Sequence, residues 1–422
     1  MPFSASAFGR LLEPLDRRDV NRIVAGHAGN HGVGSGPNGW TCQRHLRTLL
    51  FAQIAGLGSL REIEQGLAAQ PGQLYHLGLR LAHRSTLSDA QAKRPAEVFR
   101  DICHSLIGRA SRKMRKQGAE VIQLVDASPI PLRDQRFDWA QADARTRGLK
   151  LHVGYDARTD VLDWVELTSP KISDVTAARD QMPITPGATY VFDKGYVDYG
   201  WWRRLDDADA VFVTRLKGNA VRRDVRPRCP QGEGILADND LRIGNARPRG
   251  GTVNTLYDVP LREILVEREG KEPMCLVTND MEAPATDIAA LYKERWKIEL
   301  LFKWIKQNLR IKRFLGRSEN AVKIQIYVAL IAFLLIRMLR QTCAKGQNSA
   351  KALIARIRVA LFAPINLTNR CKSPPRHPAT LPPSPQLALN LSPRSNPGQQ
   401  CAQAGISFPF AVKIVRSQLA LG

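Results

Sequence analysis

The stretch YKERWKIELLFKWIK, residues 292–306, places Tyr292, Arg295, Glu299 and Lys306 at successive steps of three, four and seven residues. On a helix, at about 100° per residue, those steps keep all four within an arc of roughly 60°. One stripe of one helix therefore carries a phenol, two cations and a carboxylate. Ile298, Leu301, Phe302, Ile305 and Leu309 fall on the adjoining stripe and supply a face that can pack on a core. A charged stripe of this kind is commonly no more than a solvated, salt-bridged surface. Two upstream carboxylates weigh against that here. Asp126 closes the apolar run VIQLVDAS, and Asp193 closes the apolar part of TYVFDKGY. Both runs have the pattern of buried strands that stop at a turn. Taken singly, each Asp reads as a turn or cap residue. Taken with Glu299, they make a candidate set of three carboxylates. Hard divalent cations such as Mg²⁺ take oxygen ligands, and two of them about 4 Å apart suit phosphodiester cleavage.

At these positions the chain resembles the DDE transposases of the insertion-sequence-four group. Their signature spaces a Tyr, an Arg, a Glu and a Lys as Tyr292, Arg295, Glu299 and Lys306 are spaced here, with no departure. LVDASPIPL and VFDKGYVDYGWWRRL are similar to the segments that carry the family's two Asp residues, and the resemblance covers roughly residues 40 to 340. It implies an α/β protein with a ribonuclease-H-like mixed-sheet catalytic core and a β-rich insertion between the second Asp and the Glu. It also implies the activity of a DNA transposase, which binds the terminal inverted repeats of its insertion sequence, cleaves the ends and joins the 3′-hydroxyls to target DNA. Asp126, Asp193 and Glu299 would then be the catalytic, metal-holding residues, with Mg²⁺ as cofactor and Mn²⁺ as a substitute. Tyr292, Arg295 and Lys306 would lie on phosphates of the transposon end. Synapsis of two ends implies a homodimer. Two other readings stay open: a metal-dependent nuclease of the same fold that cuts without joining, and an inactive remnant that only binds DNA.

Composition points the same way. With 422 residues the chain can bury a large core and form two or three domains. Lys and Arg total 62 against 39 Asp and Glu, a formal charge of +23, which suits a polyanionic partner such as DNA. The seven Cys residues form no CxxC pair or Cys/His cluster, so neither a zinc ribbon nor a disulfide framework is indicated. This fits a reducing cytoplasm, and the resemblance implies that of a bacterium, with its DNA in the nucleoid. No signal-peptide pattern is evident at the N-terminus. The most apolar run, IYVALIAFLLI (326–336), is short for a membrane span and reads as a buried core helix.

Along the chain, residues 1–118 read as a mainly helical, DNA-binding N-terminal domain. Ser59 and Glu62 fit a capping box, and Thr86 or Asp89 could cap a short helix that Pro95 interrupts. The pair suits either a helix-turn-helix or an ordinary helical bundle; in the first case Arg84, Ser85, Lys93 and Arg94 would read DNA. RASRKMRKQG (109–118) reads as a basic linker. Residues 119–217 and 275–341 read as the catalytic core. It opens with a three-strand meander, followed by a helix capped by Ser173, a strand, a helix and a strand. Residues 218–274 read as the β-rich insertion. Thr286 or Asp287 then opens the long helix that carries Glu299. Residues 342–422 read as a basic, Pro-rich, partly disordered tail, since no acidic residue follows Glu319 and residues 373–409 hold nine prolines. Lys194 and Lys150 are further candidate phosphate contacts. Trp201, Trp202, Trp296 and Trp304 are candidates for core packing or base stacking, and His152 reads as structural.

Overall fold

The computed structural model describes residues 6–33, 39–115, 121–143, 145–156, 158–247, 253–309, 311, 313–342 and 350–363. The first third is helical: α1 (Ala7–Leu12), α2 (Arg17–Gly26), α3 (Cys42–Ala55), α4 (Leu60–Ala68), α5 (Pro71–Leu74), α6 (Arg84–Lys93) and α7 (Ala96–Arg115). The capping box forms: Ser59 Oγ accepts from the Glu62 N–H, and Glu62 reaches back to the Gly58 N–H at 2.7 Å. The second expected cap does not form. Thr86 and Asp89 lie inside α6, whose N-cap is His83 without a side-chain bond. Pro95 does separate α6 from α7, as a residue without an N–H should. RASRKMRKQG is not a linker through Arg115, because those residues are the last turns of α7; residues 116–118 lie outside the described residues.

The sheet begins with β1 (Ile122–Pro131), β2 (Gly148–Asp156) and β3 (Val161–Thr168), an antiparallel meander. After α8 (Asp174–Gln181), capped by Ser173, comes β4 (Thr189–Val191), parallel to β1. After α9 (Tyr199–Asp206) comes β5 (Val211–Arg215), parallel to β4. This is the mixed sheet that the ribonuclease-H-like resemblance implies. β6 (Arg222–Pro227), β7 (Ile235–Ile243) and β8 (Leu261–Val266) come from the expected β-rich insertion. They extend the same sheet through β9 (Met274–Thr278), giving nine strands in the order β3-β2-β1-β4-β5-β9-β8-β7-β6.

Alternation along the strands divides the core in two. Val125, Tyr190 and Phe212 pack with Trp201, Trp202 and Leu205 of α9 on one face. Leu124, Val153, Val191 and Val213 face the other way, where α10 (Ala285–Glu294), α11 (Trp296–Asn308), α12 (Glu319–Thr342) and the N-terminal helices share one apolar cluster. α12 is longer than its apolar run suggested and would pass for a membrane span by length and composition alone, but 83% of its most apolar window is buried inside the fold. It packs against α3, α6 and α7 as a core helix. Residues 350–363, assigned above to the tail, are also packed. α13 (Ala350–Val359) buries Leu353, Ile354 and Ile357, and the Ala7 and Phe8 N–H groups donate to the Ala363 and Leu361 carbonyls. The proline-rich stretch 373–409 lies outside the described residues.

Candidate active site

β1 pairs with β4 so that Leu124 lies opposite Val191, and β4 pairs with β5 so that Val191 lies opposite Val213. Two residues further along each chain stand Asp126, Asp193 and Arg215. A step of two keeps the same side of the pleat. The three residues therefore form a row across the sheet, within β1, just past the end of β4 and at the end of β5, on the face that meets α10 and α11. Asp126 does not end its strand as the sequence suggested. β1 continues to Pro131 against β2, and it is β4 that stops, at Val191, leaving the edge beside Asp126 without a strand partner. TYVFDKGY is accordingly a strand only over Thr189–Val191. Asp193 follows in extended conformation (φ −89°, ψ 175°) and leads into a short 3₁₀ turn, Lys194–Tyr196. There Asp193 Oδ1 accepts from the Gly195 N–H at 2.6 Å. A Cβ at position 195 would lie 2.8 Å from that oxygen, so only glycine leaves the carboxylate where it is.

The expected stripe lies above this row, but not on one uninterrupted helix. The ladder tightens at Arg295, whose N–H bonds to the Tyr292 carbonyl while its own carbonyl takes the Ile298 N–H, so α10 ends and α11 begins there. The backbone of Arg295 stays right-handed helical, which preserves the stripe. The helix opens at Pro284 as N-cap, with Asp287 in the first turn and neither Thr286 nor Asp287 as cap. Arg295 donates to Glu299 Oε1 at 2.7 Å, stands 4.0 Å from Asp126 Oδ2, and lies over the Tyr292 ring at 5.9 Å. Lys306 Nζ donates to Ser128 Oγ at 2.7 Å. Ser128 is buried on β1, two residues past Asp126 and so on the same face. The helix thus crosses the strands from Tyr292, near β5, to Lys306, over β1.

Burial pushes the Asp126 carboxyl up to about 6, against the pull of the Ala127 N–H and Arg295, and the charges of Asp193 and Glu299 add to the rise. Asp126 is therefore close enough to feel both of the other carboxylates. Among the described residues no three acidic, His or Cys side chains converge tightly enough to enclose an ion as placed, and Arg295 stands between two of the acids. The donor chemistry nevertheless fits a hard divalent cation: an all-oxygen set on rigid elements, whose crowded negative charge such a cation would relieve. Burial likewise holds the Tyr292 phenol above its ordinary range, while Arg295 and Arg215 pull it down.

The other expected contacts divide. Lys194 is exposed on the turn after Asp193, and Arg84, Ser85 and Lys93 are exposed on α6. Arg94 is turned inward, with its guanidinium on the carbonyls of Gly29 and Trp40. Lys150 lies on the sheet face opposite Asp126 and is held by Asp174 at 2.9 Å and by the Ile172 carbonyl. His152 is buried with Nε2 2.8 Å from Thr168 Oγ1, a structural position. Trp201 and Trp202 are core residues, and Trp304 packs on Phe333. Trp296, beside Arg295, is 58% exposed. The sequence reading did not single out Ser128, Gly195 or Arg215. Gly195 could have been found from its place two residues after an isolated Asp; the other two depend on register.

The family model for the transposase DDE domain matches residues 117–335, and a domain of unknown function matches residues 4–80. The "Putative transposase y4zB" of Sinorhizobium fredii is 41% identical over 255 residues, 60% of this chain and 70% of that protein. The "Probable transposase for insertion sequence element IS5377" of Geobacillus stearothermophilus is 26% identical over 74% of this chain and 81% of its own length. Among solved structures, the cryo-EM structure of the piggyBac transposase synaptic complex with hairpin DNA aligns over 85% of this chain and 79% of that one, with a TM-score of 0.45 and 8% identity.

Proposed function

The chain belongs to the DDE transposases, and we propose that it cuts DNA at the terminal inverted repeats of its own insertion sequence and joins the freed 3′-hydroxyls to target DNA. The observation that carries this reading is the pairing of Asp126 on β1 with Asp193, just past the end of the parallel β4, beneath Glu299. Family membership implies dependence on divalent cations in general. We assign Mg²⁺, with Mn²⁺ as a substitute, to Asp126, Asp193 and Glu299. When bound there, such ions supply the Lewis acidity that activates water, and then a 3′-hydroxyl, against the phosphodiester. The remaining work falls to side chains of this chain. Arg295 turns from Glu299 to a phosphate oxygen, and its planar fork fixes the strand. Lys306, already steered by Ser128, holds a second phosphate. Tyr292 keeps its proton and donates it in a hydrogen bond.

In the same reading the N-terminal helices, residues 1–118, grip the repeat, with Arg84 and Lys93 of α6 on the duplex and Lys194 near the cut. Arg94 and Lys150 serve the fold. Two copies pair in the complex that holds both ends, and the protein works on the nucleoid. Incubating purified protein with a labelled element end and Mg²⁺ tests this. Cutting and joining that disappear in Glu299→Ala are expected. Cutting without joining of pre-cut ends would make it a nuclease, and end binding with no chemistry would make it a remnant.

A further inference from the structure

Arg215, at the end of β5, and Asp193, just past the end of β4, each stand two residues past the paired Val213 and Val191. It is therefore the third member of the row, next to Asp193 and on the side away from Asp126. α10 packs over β5, and the charge of Arg215 reaches the Tyr292 phenol. Arg215 is partly buried, yet among the described residues its guanidinium has no hydrogen bond and no ion pair. Arginines further along the sheet are treated differently. Arg222 holds Glu263 at 2.6 Å, Arg228 holds Asp240 at 2.5 Å, and Arg262 holds Asp238 at 2.7 Å. A cation drawn partly out of water without a counter-ion is costly. It is tolerable at a site where an anion arrives with the substrate.

We infer that Arg215 binds a backbone phosphate of the DNA strand, at the Tyr292 end of the site and displaced from the carboxylates by one strand spacing. The inference rests on the DNA-cutting function proposed above. A strand laid along the row would meet Asp126 and Asp193 at the reacting phosphate and Arg215 at a neighbouring one. Tyr292, between Arg215 and Arg295, would separate the two phosphate positions. Arginine suits this place because its fork can take two oxygens of one phosphate, whereas a lysine offers a point charge.

The test compares wild type, Arg215→Gln and Arg215→Lys on a duplex carrying the element's end. Binding is measured over a range of salt without divalent cation, and single-turnover cleavage with Mg²⁺. Losing one phosphate contact should lower the slope of log affinity against log salt by about one and weaken binding roughly tenfold in Arg215→Gln. Arg215→Lys should recover the slope but only part of the affinity. Thermal melting of each variant separates this from loss of folding. An unchanged salt slope in Arg215→Gln, or a loss that only tracks a lower melting temperature, overturns the inference. A wild type that binds the end but never cuts it breaks the proposed function instead, and the salt slope, read without metal, still decides for or against Arg215.

Discussion

Two arginine–carboxylate groups occupy the same sheet and are built in opposite ways. Between β7 and β8, Arg262 grips Asp238 through two bonds, 2.9 and 2.7 Å, and both side chains are buried. A further N–H of Arg262 reaches the Ala283 carbonyl. One cation meets one anion there. Around Asp126 in β1 and the ends of β4 and β5 the match is left incomplete. Arg295 is divided between Glu299 and Asp126, Asp193 caps a turn, and Arg215 has no counter-ion among the described residues. The first group fixes the sheet. Under the proposed function, the second would hold charge for a substrate phosphate and a cation to settle. An arginine beside a carboxylate is thus not by itself evidence of function.

The contrast should break most visibly at Glu299. Glu299→Gln keeps the shape and removes the charge, and single-turnover cleavage should fall by about 10³-fold or more with end binding retained. Asp238→Asn should do the reverse. Leaving Arg262 buried without its anion should cost about 3 kcal/mol in chemical denaturation, while cleavage per folded molecule stays at the wild-type value. Gly195→Ala sharpens the comparison. Its methyl displaces the Asp193 carboxylate, so cleavage should drop about 10²-fold with little change in melting temperature. A large melting shift with normal cleavage would show that the 3₁₀ turn is only structural.

Acid sets a control away from both groups. His45, wholly buried on α3 against Phe99, is held down at about 3 by burial and then by the charge of Arg94. A histidine depressed in the folded state contributes fully above its unfolded value near 6.5 and loses that contribution as pH falls. Folding should weaken by about 2 kcal/mol by pH 5, and His45→Gln should flatten that part of the pH–stability curve. The smallest effect is expected at Ser128→Ala, about tenfold in turnover with end affinity nearly unchanged, restored by Ser128→Thr. Equal loss in the Thr variant would remove the hydroxyl from the account.

What could be read from the sequence was local. The stripe from Tyr292 to Lys306 follows from helical periodicity alone, and it survives the tightening at Arg295 because that residue keeps helical dihedrals. Strand runs, the Ser59 box and the Ser173 cap are likewise nearest-neighbour properties. What could not be read depends on partners. Asp126 lies mid-strand, and the opening beside it is made by the shortness of β4. The Arg215 position follows from two registers that no single segment encodes. Arg94 and Lys150 looked like surface cations because their acceptors, the Gly29 and Trp40 carbonyls and Asp174, are distant in sequence. Thr86 and Asp89 had capping chemistry, but the chain enters α6 earlier, at His83.

Whether the carboxylates of the row and Glu299 bind cation together is tested most directly by Mn²⁺ binding followed by electron paramagnetic resonance. In the presence of a DNA end, wild type should bind Mn²⁺, while Asp126→Asn and Glu299→Gln should each lose most of that binding and Asp238→Asn, measured while folded, should keep it. Equal Mn²⁺ binding in wild type, Asp126→Asn and Glu299→Gln would contradict the account.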